Sequence, residues 1–319
     1  MTLRLGVLGH GWAAEKHGRG AIECGAQLVA VAGRDKTRAA AAAAEFMIDR
    51  VTDDWREVTR AEDVDAVIVA TPNVLHAEQC LDAIAHGKHV LVDKPMAVQV
   101  ADAKAIVDAA NNAGVVLLVG HMWRYRDEVV AMRDRVSAGE LGRIVRTRGY
   151  GIHEKWGPDG WFVDRSRSGG GALIDMGVHA VDTVRFLLGD PRPLRVQASV
   201  GTAYGDYDVD DDGVILVDWD NGTRSVIEFG WHQPYLSGIE ADTELFGTKG
   251  YARIWPYPEM GGLPEEHAAQ PMYTAQMRDF ITCIETGGTP LASGEAGLIA
   301  LSVVQAAYES ARTSTGIKL

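Results

Sequence analysis

Cysteine is scarce and scattered in this chain of 319 residues. The three cysteines, Cys24, Cys80 and Cys283, are odd in number and far apart, and no CxxC pair occurs. This spacing supports neither a disulfide framework nor a structural zinc site. We expect three buried, small apolar side chains and predict no metal site.

Basic residues are also few, with 31 Lys and Arg against 44 Asp and Glu and a formal net charge of -13. The acidic residues are spread along the chain, so the protein lacks a general attraction for nucleic acid or anionic membranes. An uninterrupted apolar run of about 18 residues is missing, and no basic segment followed by an apolar stretch opens the chain. We therefore expect a cytoplasmic protein with neither a nucleic-acid nor a membrane partner.

The composition is that of a folded protein. Hydrophobic residues make up 46% and charged residues 24%, and the length suits about two domains. Over residues 1–122, short apolar runs alternate with longer amphipathic segments, a pattern typical of a parallel sheet covered on both faces. We predict a doubly wound α/β (Rossmann) domain there. The strand candidates are Leu3–Leu8, Leu28–Ala32, Ala66–Ala70, Val90–Val92 and Val115–Val119, and the helix candidates are Arg38–Phe46, Leu75–Ala85 and Ala101–Ala113.

The pattern changes after residue 122. Alternating polar and apolar residues dominate from Ile144 onward, and two helices, Met272–Thr286 and Gly294–Ser314, close the chain. Asp220-Asn221-Gly222 predicts a hairpin, because Asn-Gly accepts the positive φ angles of a type I′ turn. Residues 123–319 are therefore predicted to form an α+β domain with a large, mainly antiparallel sheet.

A glycine-rich turn follows the first predicted strand and opens a helix. Gly9-His10-Gly11-Trp12-Ala13-Ala14 fits the G-x-G-x-x-G/A fingerprint of dinucleotide-binding turns. There the first glycine permits the tight turn, the second lets the backbone approach a pyrophosphate, and the small third residue allows close helix packing. The helix N-terminus offers N–H groups to phosphate. A glycine-rich turn without a ligand is the alternative, and the repeated strand–helix context favours the dinucleotide.

The end of the second strand predicts which dinucleotide is bound. An NAD site usually carries an acidic side chain there, which accepts hydrogen bonds from the ribose. This chain has Gly33-Arg34-Asp35 instead. Gly33 leaves space, and Arg34, assisted by Arg38 or Thr37, could pair with a 2′-phosphate. We therefore expect NADP to be preferred over NAD, and Asp35 on a ribose hydroxyl is the alternative that would permit NAD.

Two further groups of residues suit acid–base chemistry. Lys94 lies directly after an apolar strand and before Pro95, at the edge where open α/β sheets bind ligands. Asp175 and His179 are four residues apart, so on an α-helix both face one way and the carboxylate could orient the imidazole. The structural alternatives are a solvated lysine, a helix cap and a buried histidine.

Together these motifs resemble the Gfo/Idh/MocA oxidoreductase family over nearly the whole chain. The most specific part of the resemblance is the succession of Lys94-Pro95 and Asp175-x-x-x-His179. One departure is Asp93, where the family more often has glutamate. The other matching motifs are Gly9-His10-Gly11, Thr71-Pro72-Asn73 with His76, Gly169-Gly170-Gly171, Asp211-Asp212, Asn221-Gly222 and Phe246-Gly247-Thr248-Lys249-Gly250.

The resemblance implies an NAD(P)-dependent oxidoreductase that interconverts a secondary alcohol and a ketone on a sugar, cyclitol or related polyol. It implies that His179 is the general acid/base, that Lys94 hydrogen-bonds the reacting oxygen and that Asp175 orients substrate and imidazole. A homodimer or homotetramer that pairs through an open-faced sheet is also implied. The expected cofactor-binding residues are Gly9, Gly11, Trp12, Ala14, Gly33, Arg34, Arg38, Thr71, Pro72, Asn73, His76, Asp93 and Lys94.

Substrate contacts are harder to predict from the sequence. Trp123 and Arg124 follow the last strand of the first domain and could stack on, and hydrogen-bond to, a polyhydroxylated ring. A later loop, rich in polar and aromatic residues, adds the candidates His153, Trp161 and Arg165.

An acidic segment imitates the start of a calcium loop. Asp208, Asp210 and Asp212 alternate before Gly213, but Trp219 stands where such a loop needs a bidentate glutamate. The segment also lies between predicted strands instead of helices. We therefore predict no calcium site.

Two other functions fit the same motifs. Some relatives use bound NAD in a redox-neutral cleavage of glycosides, as hydrolases or lyases, and a non-catalytic nucleotide sensor could share the fold. The phosphate-tolerant Gly33-Arg34 pair argues against the first. The joint presence of Lys94, Asp175 and His179 argues against the second, because a sensor needs no acid–base set.

Overall fold

The computed structural model describes residues 2–233, 241–254 and 269–319, and these form two compact units. One boundary between the units lies between Met122 and Trp123. Residues 269–298 belong to the first unit, whereas the sequence assigned them to a second domain spanning 123–319. No described helix is long and apolar enough to cross a membrane.

Helix packing explains why residues 269–298 join the first unit. Helix α9 (Gln270–Thr286) lies so close along α1 (Trp12–Glu23) that a Cβ at Gly20 would be 3.1 Å from the Tyr273 carbonyl oxygen. The Gln270 side chain also donates to the Lys16 carbonyl oxygen at 3.1 Å. The described helices are α1 (Trp12–Glu23), α2 (Lys36–Glu45), α3 (Arg56–Thr59), α4 (His76–Ala85), α5 (Val100–Ala113), α6 (Asp127–Ser137), α7 (Arg165–Ser168), α8 (Val178–Leu187), α9 (Gln270–Thr286) and α10 (Gly294–Thr313).

The first unit contains a six-stranded parallel sheet, which confirms the predicted Rossmann architecture. Its strands are β1 (Arg4–Leu8), β2 (Gln27–Ala32), β3 (Arg50–Thr52), β4 (Ala66–Val69), β5 (His89–Val92) and β6 (Leu117–Val119), in the order β3-β2-β1-β4-β5-β6. The direction of winding reverses between β1 and β4, and doubly wound sheets bind ligands outside the carboxyl ends of the strands at that point. The sequence missed β3, because its three residues, with Val51 39% exposed, form no apolar run.

The second unit contains a seven-stranded mixed sheet, as predicted for an α+β domain. Among the described strand pairs, β7 and β10 are parallel and the other pairs are antiparallel. The strands are β7 (Ile144–Glu154), β8 (Pro193–Gly201), β9 (Asp212–Trp219), β10 (Arg224–Gln233), β11 (Ala241–Gly247), β12 (Tyr251–Arg253) and β13 (Ile317–Lys318), in the order β12-β11-β7-β10-β9-β8-β13.

The two faces of this sheet differ. On β9, Ile215 and Val217 are buried, whereas Leu216 between them is 50% exposed, as the alternation in the sequence predicts. Helix α8 lies against the buried face, where β7 carries glycine for close approach. A Cβ at Gly149 would lie 2.6 Å from the Val184 side chain. The helix that carries His179 is therefore packed directly on the sheet.

The hairpin between β9 and β10 forms where predicted, but with a different turn. Only Gly222 of the Asn-Gly pair has a positive φ, at 82°, so the turn is not type I′. The Gly222 amide donates to the Trp219 carbonyl oxygen, and the Trp219 amide donates to that of Thr223. The Asn221 side chain accepts the Thr223 amide at 3.0 Å. The asparagine thus stabilises the turn through its side chain and not through a left-handed backbone.

Candidate active site

Two glycines in the turn between β1 and α1 are required for different reasons. Gly9 has a φ of 108°, and a Cβ there would lie 2.2 Å from the Ala70 carbonyl oxygen, so the fold itself requires glycine. Gly11 has a φ of -88°, which any residue adopts, and a Cβ there would meet no described atom within 4 Å. The fold therefore keeps open space beside Gly11, as the approach of a pyrophosphate requires.

The first turn of α1 also fits a dinucleotide. The N-cap residue of α1 is Gly11, which has no side chain to cap the helix, and the first N–H groups of a helix suit an anion. Ala14 is 4% exposed, in keeping with the small residue that close helix–strand packing needs. Trp12 is 58% exposed, and its ring lies edge-on to that of Tyr273, with centroids 5.7 Å apart. The glycine turn and helix N-terminus thus have the features of a pyrophosphate site.

The end of β2 departs from the sequence prediction in two details. A Cβ at Gly33 would lie 2.2 Å from Cδ2 of His10, so the room predicted there is taken by the His10 ring. Asp35 caps α2, where its Oδ1 accepts two backbone N–H bonds of 3.1 Å. Arg34 and Arg38 are both exposed at this end of the strand.

His76 joins the two turns that follow β4 and β5. Its Nδ1 lies 2.8 Å from the Pro95 carbonyl oxygen, and its Nε2 lies 2.7 Å from that of Thr71. The ring is 1% exposed, and the nearby Lys94–Pro95 peptide bond is cis. Direct contact between His76 and the cofactor is therefore not supported, because the backbone engages both ring nitrogens.

The other predicted residues in these turns differ in exposure. Lys94 and Pro72 are partly exposed, whereas Asn73 is buried. The Thr71 hydroxyl donates to Oε1 of the buried Gln79 at 2.6 Å, which ties the turn to the body of α4. The sequence gives no sign of this role for Gln79, because a single glutamine inside a helix carries no signal of its position.

Asp93 belongs to a polar cluster that the sequence does not indicate. Its Oδ1 lies 3.7 Å from Nε2 of the buried His17, whose ring meets that of Tyr273 edge-on at 4.8 Å. Burial raises the pKa of the Asp93 carboxyl, but His17, Lys94 and His76 lower it more, so the net shift is downward. No motif spans three such distant parts of the chain, so only the fold reveals the cluster.

Protein contacts shape the glycine-rich run before Asp175. A Cβ at Gly171 would lie 1.8 Å from the Asp210 carbonyl oxygen. The Asp210 carboxylate accepts the amides of Gly171 at 2.9 Å and Leu173 at 2.7 Å. It also accepts the Tyr308 hydroxyl at 2.8 Å. Asp210, which in the sequence resembles part of a calcium loop, thus binds the start of the segment that carries Asp175.

Asp175 and His179 do not share the α-helical turn that their spacing predicts. Leu173–Gly177 is a π-helical turn, in which the Val178 amide bonds to the Leu173 carbonyl oxygen five residues earlier. A π turn contains more residues than an α turn, so residues four apart no longer stack. The α-helical geometry predicted for the pair is therefore wrong, although both side chains are buried, at 7% and 3% exposure.

The observed partners of Asp175 come from β7 and β10. Trp231 Nε1 donates to Oδ2 of Asp175 at 3.0 Å, and Nε2 of His153 lies 3.6 Å from the same oxygen. The His153 ring stacks on Trp156, with centroids 3.7 Å apart. His153, a predicted substrate residue, thus lies beside the predicted catalytic acid. Trp231 was missed, because a tryptophan in an apolar strand is usually a core residue.

Two other predicted substrate residues have partners within the protein. Nε of Arg165 donates to the carbonyl oxygen of Asp208, in the connection between β8 and β9, at 3.0 Å. The Trp161 ring stacks on its neighbour Phe162, with centroids 3.9 Å apart. The substrate roles of Arg165 and Trp161 stay predictions.

Arg124 is paired with two carboxylates of the second unit. Its guanidinium is 2.7 Å from Asp182 and 2.8 Å from Asp190, and the residue is 1% exposed. The preceding Trp123 is buried as well, at 8%. The prediction that Arg124 hydrogen-bonds a sugar is not supported, because two carboxylates already engage the guanidinium.

Three family models match this chain in succession. Residues 3–121 match the oxidoreductase family described as an NAD-binding Rossmann fold, under the name GFO_IDH_MocA. Residues 129–253 match a GFO/IDH/MocA C-terminal domain, and residues 263–319 match the C-terminal alpha/beta domain of the oxidoreductase family.

Individual relatives agree with the family models. The chain is 33% identical to a 1,5-anhydro-D-fructose reductase of Ensifer adhaerens, over 99% of this chain and 98% of the relative. It is 27% identical to scyllo-inositol 2-dehydrogenase (NAD(+)) of Bacillus subtilis (strain 168), over 99% and 96%. The solved structure of GenD2 from gentamicin A biosynthesis, in complex with NAD, superposes with a TM-score of 0.90 at 27% identity, over 100% and 96%. The chain therefore belongs to the Gfo/Idh/MocA family of NAD(P)-dependent sugar and cyclitol oxidoreductases.

Proposed function

We propose that this enzyme interconverts a secondary alcohol and a ketone on a sugar, cyclitol or related polyol. The observation that carries the proposal is the buried Asp175 carboxylate beside His153 and Trp231, on the segment that leads into His179. A nicotinamide dinucleotide, when bound, supplies the hydride acceptor or donor. The names of the relatives, which act on an anhydro sugar and an inositol, support this substrate class.

The chain's own residues would handle the proton and the reacting oxygen. In the oxidative direction His179 takes the proton of the substrate hydroxyl, and in the reductive direction it returns a proton to the carbonyl oxygen. Lys94 donates a hydrogen bond to that oxygen and stabilises its developing negative charge. Asp175 orients substrate and imidazole, with Trp231 and His153 fixing the carboxylate.

We further propose that NADP is preferred over NAD. Arg34 and Arg38 are exposed at the end of β2, and Asp35 already caps α2, which favours a phosphate partner over a ribose hydroxyl at this position. Tryptophan fluorescence titrations with NADPH and with NADH test this directly. Tighter binding of NADPH that Arg34→Ala abolishes would support the proposal, and tighter binding of NADH would overturn it.

Turnover of a panel of sugars, cyclitols and their keto forms tests the reaction. We expect His179→Ala and Lys94→Ala to lower kcat by roughly 100-fold or more, with the affinity for NADPH retained. His86→Ala and Lys104→Ala, which remove exposed side chains of the same types, are the matched controls. Near-wild-type turnover in either active-site variant would contradict the assignment. Glycoside cleavage without net change in nicotinamide absorbance would indicate the redox-neutral alternative.

We also propose that the protein is a homodimer or homotetramer in the cytoplasm. The subunits would pair through the open face of the second sheet. The half-exposed Leu216 and Leu194 on that sheet are consistent with a covered face in the assembly. Light scattering on the purified protein measures the mass. A monomeric mass at micromolar concentration would exclude the assembly.

A further inference from the structure

The two hydrogen-bond partners of the His76 ring favour one protonation state over the others. Both ring nitrogens lie within 3 Å of backbone carbonyl oxygens, those of Pro95 at 2.8 Å and Thr71 at 2.7 Å. The side chain is 1% exposed, so water cannot replace either partner. A carbonyl oxygen only accepts hydrogen bonds. A neutral imidazole has one N–H, and it would therefore direct a lone pair at one of the two oxygens.

The surroundings of His76 act on its charge in opposite directions. Burial lowers the pKa of His76 most strongly and Lys94 acts in the same direction, so the net shift is downward. The two carbonyl oxygens and the Asp93 carboxylate oppose that shift, and the case for a cation rests on the geometry of the two carbonyl contacts. Asp93 is also close to His17, which Tyr273 packs against, so these are the titratable groups of the cluster. With the pKa of Asp93 lowered, its carboxylate is available as the counter-charge.

The position of His76 connects it to the proposed chemistry. Thr71 belongs to the turn after β4, and Pro95 directly follows Lys94 in the turn after β5. Both turns lie at the carboxyl ends of adjacent strands, which pair from Ala66 opposite His89 to Val69 opposite Val92. A ring that donates to both turns fixes the backbone of Lys94 relative to the sheet.

We propose that His76 is held as a doubly protonated imidazolium, balanced by Asp93, and that it acts as the positioning residue for Lys94. The charge state follows from the two carbonyl partners alone, whereas the effect on turnover rests on the proposed role of Lys94. The two parts can therefore fail separately.

Neutron diffraction of the deuterium-exchanged protein at near-neutral pD tests the charge state without any substitution. We expect deuterons on both Nδ1 and Nε2 of His76, each directed at its carbonyl oxygen. A bare ring nitrogen would overturn the proposal. His86, whose Nδ1 lies 2.7 Å from the Asp82 carbonyl oxygen and whose ring is exposed, provides the comparison at the end of the same helix.

Substitutions test the positioning role. His76→Gln retains one donor, and we expect kcat to fall by about 10-fold or more, while KM and the affinity for NADPH change little. The matched control is His86→Gln, with unchanged kcat. Asp93→Asn removes the counter-charge, so its turnover should decline at a lower pH than that of the wild type. Asp93→Glu should restore the wild-type profile.

The outcomes separate the two claims. Two deuterons on His76 together with a normal kcat in a folded His76→Gln variant would overturn the positioning role while leaving the charge state in place. Loss of turnover in Lys94→Ala but not in His76→Gln would likewise exclude the positioning role and preserve the proposed function. If His76→Gln does not fold, the pH dependence of turnover in Asp93→Asn and Asp93→Glu tests the positioning role of His76. Profiles equal to that of the wild type in both variants would exclude that role.

Discussion

The indole nitrogen of Trp231 lies 3.0 Å from Oδ2 of Asp175, although the two residues are 56 positions apart. Trp231 is 0% exposed and Asp175 is 7% exposed, so the bond joins a buried donor to a buried acid. A buried polar group without a partner costs free energy, and the geometry of this bond fixes one oxygen of the carboxylate. The strand β10 therefore helps to set the position of a predicted active-site acid.

We expect Trp231→Phe to lower both stability and turnover. The substitution keeps an aromatic ring but leaves Asp175 without its indole donor, which costs about 1–3 kcal/mol of unfolding free energy. We expect kcat to fall roughly 10-fold, because the carboxylate is no longer fixed. Urea denaturation and steady-state kinetics provide the measurements.

Trp219→Phe is the matched control for that substitution. Its indole nitrogen donates to Ser225 at 2.7 Å from an equally buried position in the neighbouring strand β9. We expect a comparable loss of stability with unchanged kcat. Equal effects of the two variants on kcat would show that Trp231 contributes only to packing.

The two glycines of the first turn give opposite expectations. Gly9→Ala places a Cβ against the Ala70 carbonyl oxygen at a φ of 108°, and we expect it to cost at least about 1–3 kcal/mol of stability. Gly11→Ala meets no described atom, so stability should change by less than about 0.5 kcal/mol. Its affinity for NADPH should fall about 10-fold, or about 1.4 kcal/mol, because the methyl group enters the space for the pyrophosphate. Unchanged affinity in Gly11→Ala would place the cofactor elsewhere.

The sequence predicts those features that depend on local patterns. The parallel sheet follows from apolar runs such as Val90–Val92 alternating with helices, and the glycine turn follows from its position after β1. Features set by distant contacts were missed or misjudged. The π turn at Leu173–Gly177 begins where two backbone amides donate to the distant Asp210 carboxylate, whereas spacing alone suggests an ordinary α-helix there.

Two predicted site residues have partners that the sequence does not indicate. Arg124 lies in a segment that suits a substrate cleft, and only the fold brings Asp182 and Asp190 to its guanidinium. His76 was expected to contact the cofactor, but its two backbone partners come from separate turns. A sequence shows which residue types are available, whereas the pairing of buried polar groups is decided by tertiary contacts.

Asp210→Asn tests whether the π turn depends on its carboxylate. The acid accepts two backbone amides, so we expect a loss of about 1.5–3 kcal/mol of stability and a lower kcat as the Asp175 segment shifts. Asp211→Asn is the control, because that carboxylate accepts the amides of Ala203, Tyr204 and Gly205 instead. Urea titrations and steady-state kinetics distinguish the two variants. A normal kcat in Asp210→Asn would contradict the dependence of the π turn on the Asp210 carboxylate.

Acid should destabilise the protein partly through Asp211. Burial raises the pKa of this carboxyl, but three backbone amides and the Tyr207 hydroxyl lower it more, so its folded pKa lies below its ordinary value. Its stabilising contribution is therefore present above the unfolded pKa, near about 3.9, and is lost as the pH falls through the folded value. The urea midpoint of the wild type should decrease more steeply below about pH 4 than that of Asp211→Asn. Parallel curves would show that the pKa is not lowered.

Arg124→Ala distinguishes a structural arginine from a substrate contact. The guanidinium lies between Asp182 and Asp190, and its loss would leave the Asp182 carboxylate buried at 1% exposure. We expect a loss of about 3–5 kcal/mol of stability. Arg148→Ala removes a half-exposed arginine paired with Glu228 at 2.7 Å, and it should cost less than about 1 kcal/mol. Thermal unfolding measures both, and KM of the folded fraction should stay at the wild-type value in each variant. A raised KM with normal stability in Arg124→Ala would instead support a substrate contact. It would also show that burial of the two carboxylates does not require the Arg124 guanidinium.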